Sequence, residues 1–159
     1  MKRAMQMFTG SVLLSLAPFA SAETDADPAA MRIAAGFVKL AGSEDNILAL
    51  VCALHEGAPV HLVSPADPGT DFIPEIVVIE PPTGKMAWND VKMALMLARD
   101  ALQAHDIVRP SLVQLHAVLL GGEIATPSGT MATLPGVLQM RADGVHWGRI
   151  AAERYRRPG

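Results

Sequence analysis

The side chains best suited to chemistry in this chain are five imidazoles, His55, His61, His105, His116 and His146, and one thiol, Cys52. Imidazoles hold a divalent metal when their spacing brings two of them to one face of a helix or strand. No pair here is spaced HxH, HxxxH or HExxH, and His55-Glu56 runs into Gly57 with no second imidazole four residues on. No metal site and no cofactor are expected. Cys52 and His55 are three residues apart, as a nucleophile and its base could be. The thiol falls in mid-helix, however, far from the helix N-terminus that would lower its pKa. A single cysteine also closes no disulfide within the chain. Thr83-Gly84-Lys85-Met86 departs from a phosphate loop twice, with Ile79 where the second glycine belongs and Met86 where a hydroxyl belongs. Gly-x-Ser-x-Gly is absent. Hydrolysis would therefore need a scattered set such as His55, His61 and Asp71, gathered by the fold.

Short elements must place these groups. Ser43 is suited to cap a helix over 44–56, with Glu44 and Asp45 in its first turn, Gly57 as its left-handed stop and Pro59 just beyond. On that helix Ile47, Leu50, Val51 and Leu54 share one face, while Cys52 lies opposite and partly exposed. Two β-branched runs, 60–63 and 76–79, read as strands of one hairpin, joined by a proline-broken loop. Such a hairpin must pack on helices or find a partner strand. A second helix is predicted over 90–104 with Asn89 as N-cap and a core stripe of Val91, Ala94, Leu95, Ala98 and Leu102. Its wet side carries Lys92, Arg99, Asp100 and Gln103, with Met96 among them. A third helix, 112–120, opens after Pro110-Ser111 and stops at Gly121-Gly122. Residues 123–132 read as a loop, Thr133 as the cap of a fourth helix ending at Gly144, and a fifth helix spans 147–155. The fold class expected is α+β, mainly α: about five short helices packed with one two-stranded β element.

The first 22 residues have the layout of a secretory leader. Lys2 and Arg3 precede an apolar run from about Phe8 to Ala20, and Ala20-Ser21-Ala22 supplies the small residues a signal peptidase requires. The run is short of the ~20 residues of a membrane span. The expectation is an exported chain, periplasmic or secreted, cut after Ala22 and without a transmembrane anchor. Residues 23–35 are expected as a flexible lead-in and 36–157 as a single small globular domain. Loss of the leader removes Lys2 and Arg3 and moves the formal net charge from −3 to −5. A surface of that sign disfavours nucleic acid as a partner.

Two segments carry a resemblance. Residues 81–92 read PPTGKMAWNDVK and residues 136–152 read GVLQMRADGVHWGRIAA. Together they resemble a group of small exported bacterial proteins of unknown function, in which an LRAxGxGWGxIA-like ending follows a PPTGKMGxGNVKxAL-like segment. Ala87 stands where that pattern has Gly. The resemblance implies export and carries no activity, so it assigns no residue a role. The ending, through Arg141, Gly144, Trp147, Gly148 and Ile150, is also similar to the first two helices of a helix-turn-helix module. A DNA reader needs a recognition helix, and none is predicted beyond Arg156-Arg157. Gly144 as a left-handed stop would let Trp147 and Ile150 fold back on Val137 and Leu138. Arg141 would then pack its stem and bond Glu153 or free carbonyls. The reading favoured is a small non-enzymatic protein acting by protein–protein contact, its partner a second copy of the chain or another protein. Met86, Trp88, Met96 and Cys52 are the expected contact residues. A small exported hydrolase and a helix-turn-helix DNA-binding protein are the alternatives.

Overall fold

The computed structural model describes residues 26–65, 69 and 73–153. Residues 1–25, which include the expected leader, Asp71 and the residues after Glu153 lie outside the described residues. Seven helices and two small two-stranded sheets make up the described chain, an α+β fold that is mainly α. The sequence patterning led to two fewer helices and one fewer hairpin.

Helix α1 (Pro28–Ala35) falls where a flexible lead-in was expected. Asp27 caps it by accepting from Ala29 N at 2.7 Å, and Pro28 occupies the first turn, where a missing N–H costs nothing. Its alanines are small enough to bring it close against the body, so Ala30 and Ala34 are buried. A short α2 (Val38–Ala41) follows and ends at Gly42, whose φ of 82° suits glycine. Helix α3 (Glu44–Glu56) has the expected Ser43 cap and Gly57 stop, and its buried stripe is the expected one. Asn46 is the exception on that stripe. It is buried yet fully bonded, giving Nδ2 to the carbonyls of Ala41 and Val63 and accepting from Val63 N at 3.1 Å.

Strands β1 (Val60–Val63) and β2 (Ile76–Ile79) pair antiparallel, Val60 opposite Ile79 and Val63 opposite Ile76. Val60, Leu62 and Ile79 face the core, while His61, Val63, Ile76 and Val78 form an exposed outer face. Helix α4 (Trp88–Gln103) starts two residues earlier than expected. Its N-cap is Ala87, with no side-chain cap, and Asn89 lies inside the helix. The start is set by the chain before it, because Met86 is held on α3. The expected core stripe of α4 is buried in full, with Leu97 added.

Helix α5 (Leu112–Leu120) opens on a capping box between Ser111 and Gln114. Strands β3 (Gly122–Ala125) and β4 (Met131–Leu134) replace the expected loop, and Thr133 lies in a strand rather than at a helix cap. Each strand buries one residue, Ile124 or Leu134, too little to register as alternation in the sequence. Gly136 then turns the chain at φ 82°, where a Cβ would collide with the backbone of Leu120 and Gly121. Helices α6 (Val137–Ala142) and α7 (Trp147–Glu153) close the described chain around Leu138 and Ile150. All elements share one hydrophobic core. Among the described residues no helix is long and apolar enough to cross a membrane.

Candidate functional site

The segment 81–86 acts as an anchor. Met86 donates its N–H to the His55 carbonyl at 3.2 Å, and His55 Nδ1 meets the Met86 carbonyl at 2.7 Å. A carbonyl only accepts, so the imidazole carries its proton on Nδ1 in this bond. The close approach depends on Gly57, at φ 69°, where a Cβ would lie 2.5 Å from the Gly84 carbonyl carbon. Met86, expected at the surface, is 6% exposed and belongs to the core. Its burial delivers the next aromatic residue to a fixed place: Trp88 stacks on His55 with ring centroids 3.7 Å apart and planes 13° from parallel.

Trp88 opens one wall of a furrow. Residues 88, 92, 96, 99 and 103 recur at three- and four-residue intervals and so share one side of α4. Facing them are Arg32, Ile33 and Phe37, and the cleft between holds about 490 Å³. A second cleft of about 390 Å³ continues it past Arg99 toward Lys39 and Ile107, sharing Gly36, Phe37 and Arg99 with the first. The floor is aromatic and aliphatic, and Arg99 lies over the Phe37 ring at 5.3 Å. Four cations, Arg32, Lys39, Lys92 and Arg99, line the two clefts and no carboxylate does. Arg99 has an ion pair with Asp100 at 3.4 Å; among the described residues Arg32, Lys39 and Lys92 have none. On a chain of formal charge −3 this is a local reversal of sign.

No family model matches the chain, and no curated protein or solved structure matches it.

Of the expected contact residues, Trp88 and Met96 are brought together in the furrow, half-buried. Cys52, on α3, is half-buried and lines neither cleft, and burial pushes its thiol pKa up, helped by the nearby carboxylates of Glu56 and Asp27. That is the opposite of an activated nucleophile. His55 is committed to Met86 and Trp88, and His61 stands on the exposed face of β1. Among the described residues no three His, Cys, Asp or Glu side chains are grouped to hold a metal ion.

The C-terminal segment has a structural task. Gly144 is left-handed at φ 85° and lets Val145 N bond the Met140 carbonyl at 3.0 Å. Ile150 turns inward and is buried, while Gly148 is open to solvent. Arg141 places its guanidinium 5.1 Å from the Trp147 ring centre and bonds the carbonyl of Val145 at 3.4 Å, which lies in the turn between α6 and α7 rather than at a helix end. Trp147 in turn donates to Asp90 in the first turn of α4.

Sequence patterning missed Arg32 and Phe37, because their segment carried no helix signal strong enough to outweigh its acidic, alanine-rich start. The signal for the rest was present: Met96 stands among charged neighbours on the wet side of α4. Met96 stands between Lys92 and Arg99 on the side of α4 that also carries Trp88.

Proposed function

We propose that the chain is an exported, non-enzymatic protein that works by protein–protein contact, holding an acidic and partly apolar segment of a partner in the furrow between α1 and α4. The observation that carries this reading is the pairing of Trp88 and Met96 with Arg32, Lys92 and Arg99 in a furrow free of carboxylates. Aromatic and arginine side chains in a concave, partly desolvated setting are the residue types that dominate binding energy at protein interfaces. Unpaired cations there draw in an anionic segment and set its orientation. The export half rests on the leader-like first 22 residues and on the resemblance of residues 81–92 and 136–152 to small exported proteins.

Two measurements test it. Fractionation followed by N-terminal sequencing should find the protein outside the cytoplasm, starting at Glu23; a cytoplasmic protein starting at Met1 ends the export half. Calorimetric titration with a twelve-residue peptide of alternating Glu and Leu or Phe should show binding with a Kd of about 10–100 μM at low salt. Absence of heat and of any change in tryptophan emission ends the contact half.

A further inference from the structure

We propose that two copies of the chain join edge to edge through β2, as an antiparallel pair with Val77 on the twofold axis. The inference starts from the hydrogen-bond parity of the β1–β2 hairpin. Ser64 N bonds the Glu75 carbonyl at 2.9 Å, closing one hydrogen-bonded pair next to the ladder. Bonded and non-bonded pairs alternate along an antiparallel ladder. Leu62 with Val77 and Val60 with Ile79 are therefore the bonded pairs, and the N–H and C=O of Ile76 and Val78 point away from β1. The opposite edge confirms this phase, since Val63 spends its N–H and C=O on the Asn46 side chain. Asn46 thus occupies the outer edge of β1 at Val63. Among the described residues nothing bonds the backbone of Ile76 or Val78, and the two side chains are 60% and 39% exposed.

An unpaired strand edge of this kind is a template for another strand, and the sequence makes it a template for itself. Centring the pair on Val77 sets Ile76 of one copy opposite Val78 of the other, twice, so that four backbone bonds form and apolar side chains meet on the same face. The same register sets Ile73, 87% exposed, opposite Pro81. Sliding toward Val78 would face Ile76 with Glu80, and sliding the other way would face Val78 with Pro74, which has no N–H. The flanking prolines and glutamates also limit the strand to four residues, which favours a closed pair over a growing sheet. Four bonds and one line of side-chain contacts fall short of the ~1,200 Å² of a stable interface, so the pair is a weak one.

Sedimentation equilibrium of the protein expressed as the full chain should show a monomer–dimer equilibrium with a Kd in the range of about 0.1–1 mM. Ile76→Pro removes an outward donor at the first residue of the strand, a position that tolerates proline. It should weaken the dimer at least tenfold while the circular dichroism spectrum is kept. Val63→Lys, on the outer face but off the edge, should leave the dimer unchanged. In a Cys52→Ala background, Val77→Cys should form a disulfide-linked dimer on mild oxidation, because non-bonded antiparallel partners stand at ~4.5 Å between Cα atoms, within disulfide reach. His61→Cys should not. A monomer at ~1 mM, a dimer indifferent to Ile76→Pro, loss of the dimer in Val63→Lys, or cross-linking equal at positions 61 and 77 overturns the proposal.

Discussion

The indole N–H of Trp147 donates to the carboxylate of Asp90 across 2.8 Å, joining two residues 57 positions apart. The bond ties α7 to the first turn of α4, where a carboxylate also suits the positive helix end. It links segment 81–92 to segment 136–152. The first anchors and starts α4, and the second clamps that start from the other side.

Breaking the clamp should cost stability rather than binding. A hydrogen bond to a charged group contributes about 1.5–3 kcal/mol. Asp90→Ala and Trp147→Phe should each lower the urea unfolding free energy by about 2 kcal/mol. The double variant should lose clearly less than the two single losses added, because both remove the same bond. Strict additivity would show that the bond contributes nothing.

Gly57→Ala should be among the most damaging single changes. The added Cβ meets the Gly84 backbone at 2.5 Å in a left-handed residue, so both strain and displacement of segment 84–86 follow. A loss of about 3 kcal/mol or more is expected, in the range reserved for strained or overpacked sites. Because the His55–Met86 bonds depend on that approach, Trp88 emission should shift toward that of exposed indole in the same variant. Unchanged stability would mean that α3 and the 81–86 segment are not held in this contact.

Cys52 should be a slow thiol. Burial, then Glu56, then Asp27 raise its pKa, which lowers the thiolate fraction at neutral pH. Reaction with a disulfide reagent at pH 7.5 should be several-fold slower than that of a free cysteine. The rate should go on rising with pH beyond the point where free cysteine levels off, and should match free cysteine in denaturant. A folded-state rate equal to or above that of free cysteine contradicts the packing of α1 on α3.

The sequence was most informative where local chemistry and burial agree. Ser43 and Gly57 bracket α3, and the core stripe of α4 follows from period alone, because each effect acts within a few residues. The α1 helix was hidden because alanines bury without adding hydrophobic contrast. The β3–β4 hairpin was hidden because each strand buries one side chain. Met86 was misplaced for a different reason. Its burial depends on His55, 31 residues away, and no local pattern encodes that bond. The furrow was half visible in Met96 between Lys92 and Arg99, but its other wall belongs to α1.

The decisive test of the furrow is charge reversal under salt control. Arg32→Glu with Lys92→Glu changes two exposed or half-exposed residues without an ion pair among the described residues, so the fold should persist. Calorimetric titration with the acidic Glu/Leu/Phe peptide should then show affinity at least tenfold weaker than for the unaltered protein at low salt, with the difference shrinking as salt rises toward ~0.5 M. Equal affinity of the two proteins across that range would contradict the assignment of the furrow as the contact site.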